Sequence, residues 1–172
     1  PVATPVHVQV EEGDSSTPTM SVPIELSEPT DRDVTIQWRT GVVGDLAYPQ
    51  ATPGEDYVAA SGTIVIPACE TVGHAEITIL GDEGVEDDEI LVVQFGNPTN
   101  ARLNGFWGLA VNAILDDDTI TVVPGSATVV EGDEGTTTTL EIPVELSKWS
   151  RDEVTVDWAT IVARPSIPEC EP

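Results

Sequence analysis

Apolar and polar residues alternate along most of this chain, with the two-residue period of a β-strand. Met20, Val22, Ile24 and Leu26 are interleaved with Ser21, Pro23, Glu25 and Ser27, and Val34, Ile36 and Trp38 with Thr35, Gln37 and Arg39. Successive side chains of a strand point to opposite faces, so such a segment buries one face and wets the other. The same reading gives strands at 7–10, 63–66, 75–80, 90–95 and 109–115. Glycine and proline clusters separate them: Pro53-Gly54, Gly96-Asn97-Pro98 and Asn104-Gly105. No helical period persists. Seven short strands in about one hundred residues predict an antiparallel β-sandwich. Pro23 has no amide proton to give a ladder, which predicts that its strand lies at an edge or carries a bulge.

The pattern then returns. Glu12-Gly13-Asp14, the strand at 20–27 and the segment 33–40 come back as Glu131-Gly132-Asp133, 140–147 and 153–160. Gly13 and Gly132 are 119 positions apart, Trp38 and Trp158 120. A period this long is a whole domain. Strands of the second copy are expected at 126–130, 139–147 and 153–160, and nothing after them matches the last four strands of the first. The fold class is therefore all-β: a seven-stranded antiparallel immunoglobulin-like β-sandwich over 1–118, followed over 119–172 by part of a second one, its first three strands. Three strands cannot close a sandwich, so Leu140, Ile142, Val144, Val156 and Trp158 are expected to lie exposed. Two arrangements would cover them: a continuing chain, or strands donated by another chain through β-augmentation. Pro5 precedes Glu12 as Pro124 precedes Glu131, so the chain begins where a repeat begins, as expected of a segment from a longer array.

Composition narrows the partners. The 172 residues carry 31 Asp and Glu against six Lys and Arg, a formal charge of −25. That charge excludes nucleic acid and anionic membrane surfaces, which need basic patches. High charge with few aromatics also fits disorder, but the regular alternation opposes it. Lys148 is the only lysine. A protein from a salty environment would show such acids, yet that explains their number and not their clustering. No apolar run approaches the ~20 residues that cross a bilayer, so no membrane insertion of this segment is expected.

The acids gather at four places: Glu12 after the first strand, Asp56 in a long loop, the run 82–89 between two strands, and Asp116-Asp117-Asp118 after the last. Strands running up and down in order bring all four to one end of a sandwich. Carboxylates at close range raise one another's pKa, and a divalent cation removes that cost. Calcium takes six to eight oxygen ligands and is the cation such a set suits. Acidic runs are also ordinary solvated surface, and Asp14, Glu28, Asp33, Glu83, Asp87 and Asp88 are assigned to that class. For 116–118 the plain alternative is an acidic linker.

The frame Glu12-Gly13-Asp14, Gly54-Glu55-Asp56-Tyr57, Gly62-Thr63, Asp82 through Glu89 and Ile114-Leu115-Asp116-Asp117-Asp118 resembles a Calx-β domain, a family known from sodium–calcium exchangers and from many bacterial surface and adhesion proteins. The resemblance spans 6–118 in full and 120–172 in part. It implies a seven-stranded sandwich holding Ca2+ at its distal loops. The implied ligands are Glu12, Asp56, Asp82, Glu86, Glu89, Asp116, Asp117 and Asp118, with the carbonyl of Gly84. One position departs from the pattern: Gly81 stands where calcium-binding members often carry an acid, which puts one of several ions in doubt. In the second copy Glu131 alone matches an implied ligand.

Other chemistry is sparse. Cys69 and Cys170 are not in metal-ligand spacing. End-to-end sandwiches would put them at opposite extremities, so the readings are two free thiols, a Cys170 paired outside this segment, or a head-to-tail disulfide between chains. His7 and His74 read as surface residues. No nucleophile elbow or Ser/His/Asp arrangement is visible, and a glycan-cleaving carboxylate pair lacks the aromatics for its cleft, so no enzyme is expected. Trp38 and Trp158 repeat in phase and read as core; Trp107 follows Phe106 in a loop, and Trp149, with Pro29 as counterpart, falls in an exposed turn. The expected function is a calcium-binding structural and adhesive module of a longer extracellular, cell-surface or particle-surface repeat protein. Its expected partners are other repeats or copies of the same protein, or an unidentified surface protein or glycan. The alternatives are a polymerising subunit of a surface filament or virion, and a regulatory calcium sensor.

Overall fold

A computed structural model describes residues 1–41, 44, 48–104 and 108–161. Among them the chain forms β1 (Val2–Pro5), β2 (Gln9–Glu11), β3 (Thr19–Leu26), β4 (Val34–Gly41), β5 (Ser61–Ile66), β6 (Val72–Thr78), β7 (Glu89–Thr99), β8 (Arg102–Leu103), β9 (Leu109–Leu115), β10 (Val122–Pro124) and β11 (Val144–Leu146). Alternation becomes burial: Met20, Val22, Ile24 and Leu26 of β3 point inward, as do Val34 and Ile36 of β4 and Ala75 and Ile77 of β6. Two sheets enclose this core, one ordered β6-β3-β1-β8 and the other β2-β9-β7-β4-β5. The all-β sandwich predicted from periodicity is the observed fold.

The first strand departs from the prediction. The segment expected as a single strand at 7–10 is preceded by β1, and the chain changes sheets between β1 and β2. β1 pairs with β3, Ala3 opposite Leu26, whereas β2 runs parallel to β9, Val10 opposite Ile114. The chain crosses over without turning back, so β2 meets β9 in parallel and the sandwich is not wholly antiparallel. β1 also lies parallel to β8. Buried Asn112 fastens the crossing: its Oδ1 accepts from the Val8 amide at 3.1 Å and its Nδ2 donates to the Leu91 carbonyl at 3.2 Å.

This switch also corrects the reading of Pro23. β3 lies inside its sheet, between β6 and β1, and its register with β6 runs unbroken through Pro23 opposite His74. Pro23 accepts from Val6 N–H at 3.0 Å, one residue past the end of β1. The proline therefore faces the point where its neighbour leaves the sheet, and the missing donor falls beside a ladder that has ended.

Among the described residues of the second copy only β10 and β11 form; the strands expected at 126–130 and 153–160, and the first part of 139–147, do not. The β10–β11 pair repeats the β1–β3 register: Val122 faces Leu146, Val123 faces Glu145 and Pro124 faces Val144, as Ala3, Thr4 and Pro5 face Leu26, Glu25 and Ile24. The strands that flank and cover that pair in the first copy, β6, β8 and the opposite sheet, have no counterpart among the described residues. Leu140, Ile142, Val144, Val156 and Trp158 are accordingly exposed. Trp158, a core position by its phase in the repeat, is 85% exposed, as the incomplete second copy implies, while Trp38 sits half-buried at the margin of the first core. Among the described residues no helix is long and apolar enough to cross a membrane.

Candidate metal centre

Four chain segments meet at one end of the sandwich: the residues after β2, the turn at Asp56, the loop 82–89 and the segment after β9. Glu12 extends the β2–β9 ladder by one bond, its amide donating to the Leu115 carbonyl at 3.1 Å. That places Glu12, 7% exposed, beside the segment that follows β9. Asp56 is held in a tight turn: its Oδ2 accepts from Thr52 N–H at 2.6 Å, and its own carbonyl accepts from Leu80 N–H at 2.9 Å. Fully buried Tyr57, next in sequence, anchors the turn in the core. Glu86 and Glu89 lie where the 82–89 loop enters β7.

Asp56, Glu86 and Glu89 each offer a carboxylate oxygen, and these oxygens all lie within 4.8 Å of one another. Of the remaining predicted acids, Glu12, Asp82 and Asp116 lie close enough for their charges to reach the triad, whereas Asp117 and Asp118 find their partners in the Gly13 amide and Lys148. Asp116 Oδ2 accepts from Glu86 N–H at 3.2 Å and its Oδ1 from Asp118 N–H at 3.2 Å. Asp117 Oδ1 accepts from Gly13 N–H at 3.0 Å, and Asp82 Oδ1 from Gly84 N–H at 2.6 Å. Asp118 is buried, with one oxygen, Oδ2, lacking any partner. Gly84 is buried beneath the Trp149 ring.

Such crowding shows in the electrostatics. Burial, with the charges of Asp82, Glu86, Asp116 and Asp56, raises Glu12 to about 7. Burial and Asp56 raise Glu89 to about 8. Burial raises Glu86 as well, against the pull of Arg151. These groups bind a positive charge or a proton in preference to standing ionised together. The donors are all oxygen, which suits a hard cation such as calcium and does not suit soft, sulfur-seeking metals.

Gly81, the departure from the Calx-β pattern, has a steric cause. A Cβ there would stand 1.8 Å from the Gly13 carbonyl oxygen and 2.4 Å from that of Glu12. The backbone after β2 passes directly over position 81, so no side chain fits.

Three residues at this end escaped the sequence reading. Asp88, assigned to plain surface, accepts from Asp116 N–H at 3.1 Å and braces the acidic triplet. Lys148 Nζ lies 2.5 Å from Asp118 Oδ1 and 3.2 Å from Asp14 Oδ1, holding Asp14 below the usual carboxylate range. Arg151 reaches Glu86 with Nε 3.0 Å from Oε1, an ionic contact without hydrogen-bond alignment, and Glu55 and Glu89 at 3.5 and 4.0 Å. A signal for the two cations existed: the matching turn of the first copy carries Glu28 and Asp31 in their places.

Away from this end, Cys69 lies exposed in the β5–β6 turn as a free thiol, and His7 and His74 are at the surface. Glu131 is exposed. Trp107 and Cys170 lie outside the described residues.

No family model and no curated protein matches the sequence. Among solved structures the chain is similar to the Calx CBD1 domain in its apo form, with TM-score 0.54 and 21% identity over 67% of this chain and 98% of that one. It is similar also to the Calx CBD2 domain, with TM-score 0.53 and 15% identity over 67% and 86%. A third similar structure is CBD12 from CALX1.2, with TM-score 0.56 and 21% identity; the match covers 68% of this chain but 46% of that one, less than half its length. The fold is that of the Calx-β sandwich, as the residue pattern implied.

Proposed function

We propose that this chain is a calcium-binding structural module of a repeat protein, with Asp56, Glu86 and Glu89 as the centre of the cation site. One observation carries the reading: those three carboxylates converge within 4.8 Å although they come from two loops. Glu12, on which the charges of Asp82 and Asp116 act, completes the set with those two acids, and Asp117, Asp118 and the Gly84 carbonyl are further implied ligands. The similar structure of CALX1.1 is described as a calcium binding domain, which agrees with this assignment. Bound calcium would supply the positive charge that lets the whole set ionise together. The carboxylates would then tie the turn at Asp56, the loop 82–89 and the segment after β9 into one body, and ordering that end stabilises the folded state by linkage.

Asp116–Asp118 lead within two residues to Ile120 and the second repeat, so stiffening the loops stiffens the junction. We place the module outside the cell or on the surface of a cell or particle, where millimolar calcium fills sites of roughly 10⁻⁴–10⁻³ M affinity. Its partners would be other repeats or copies of the same protein, or a surface protein or glycan. Calorimetric titration of the intact chain with calcium tests the reading: saturable binding at or below millimolar concentration, lost in Glu86→Gln, is expected. Binding unchanged by that substitution would contradict the assignment. A second reading, a polymerising subunit completed by strand donation, draws support from exposed Ile142, Trp158 and Ile161. It requires large assemblies on a sizing column with or without calcium.

A further inference from the structure

Four consecutive residues of the second copy, Lys148-Trp149-Ser150-Arg151, pack against the acidic end of the first. Lys148 meets Asp118 and Asp14 at 2.5 and 3.2 Å. Arg151 meets Glu86 at 3.0 Å and approaches Glu89 at 4.0 Å. Between these two, backbone joins backbone: Val85 N–H donates to the Trp149 carbonyl at 3.3 Å, and Val85 forms a parallel bridge with Ser150. The indole of Trp149 lies flat enough on Gly84 that a Cβ there would stand 2.1 Å from it. Hydrogen bonding, packing and charge thus act at one contact.

The sequence singles out the same turn. Strand and turn lengths match between the copies, so Glu28-Pro29-Thr30-Asp31 is the counterpart of 148–151. In the first copy both charged positions are acidic and exposed; in the second both are basic, one of them the only lysine of the chain. The exchange matches the acidic surface on which the turn rests.

We infer that the 148–151 turn is a built-in counter-ion plug, docked on the acidic cluster of the preceding module and competing there with the divalent cation. The inference rests on the calcium reading above and adds its regulation. Arg151 contacts Glu86 and Glu89, two of the three carboxylates that converge to hold the cation. A guanidinium and a doubly charged ion at the same carboxylates repel, so occupation by one disfavours the other. The turn then sits on the cluster when calcium is scarce and leaves it as calcium binds, the junction being stiffened from then on through the ordered 116–118 segment that leads into Ile120. By reciprocity, whatever holds the turn in place weakens calcium binding by the same factor.

Calcium is titrated calorimetrically into the intact chain and into K148Q/R151Q, and tryptophan emission is followed in both, with Trp149→Phe identifying the Trp149 contribution. The variant is expected to bind calcium about tenfold more tightly at low ionic strength, with the gap closing as salt screens the pairs. Metal-free emission should shift red in the variant, and calcium should produce the same shift in the parent chain. Equal or weaker binding by the variant overturns the competition while leaving the calcium reading intact. Heat from neither protein overturns both. Metal-free emission identical in the two proteins overturns the docking itself.

Discussion

Lys148 Nζ lies 2.5 Å from Oδ1 of Asp118, a carboxylate whose side chain is 1% exposed, and the two residues come from different copies of one repeat. The other oxygen of Asp118 has no partner. A buried acid half-satisfied by a cation from the next module is the local form of what holds for the whole end of this sandwich: negative charge is concentrated there beyond what the first module can neutralise. Four consequences can be measured.

Without metal, stability should fall as pH rises. Glu12 and Glu89 are raised to about 7 and about 8, from an ordinary value of 4.5. The folded state therefore holds more protons than the unfolded one between pH 4.5 and 8, and stability declines with rising pH across that window. Melting temperatures in chelator should be higher near pH 5 than at pH 8. Saturating calcium should remove or invert the trend, and its binding at pH 7 should release protons, visible as a heat that depends on the buffer.

Asp56→Asn should weaken calcium binding by at least the 10–100-fold typical of disturbing a metal site. The amide oxygen can still accept from Thr52 N–H, so the turn should survive and metal-free stability should change little. Calorimetry beside a chelator melt separates the two effects.

Gly81→Asp restores the acid that calcium-binding relatives often carry, yet it should not strengthen binding. Its Cβ would fall 1.8 Å from the Gly13 carbonyl, and the backbone shift needed to admit it should cost about 3 kcal/mol. Urea unfolding should show a lowered midpoint, and calcium affinity should drop with it.

Asn112→Leu should destabilise the sandwich by about 1–3 kcal/mol, since the partly buried Val8 amide and the buried Leu91 carbonyl would both lose their side-chain partner. This change lies in the sheet switch and not at the acidic end. The calcium-dependent increment in melting temperature should therefore persist.

How much of this was legible in the sequence follows from the range of each interaction. Alternation at 20–26 and 34–38 is local, and it gave the strands and their inward faces. The acidic cluster was legible because its members recur at strand ends, and a sandwich brings alternate ends together. The change of sheet between β1 and β2 was not, since periodicity reports which residues face inward and carries no information on which strand they pair with. Pro23 was misplaced for the same reason: its tolerance depends on where β1 stops. The steric need for Gly81 depends on backbone 68 residues earlier at Gly13. The basic turn was within reach, because Lys148 and Arg151 reverse the charge of Glu28 and Asp31, but their partners are set only by how the second copy rests on the first.

The most direct test of the central claim is a thermal melt of the intact chain in chelator, in millimolar calcium and in millimolar magnesium at the same ionic strength. The account predicts a clear rise in melting temperature with calcium, a much smaller one with magnesium, and loss of the calcium increment in Asp56→Asn. No rise, or an equal rise with magnesium or plain salt, would contradict it and reduce the acids to a charged surface that any cation screens.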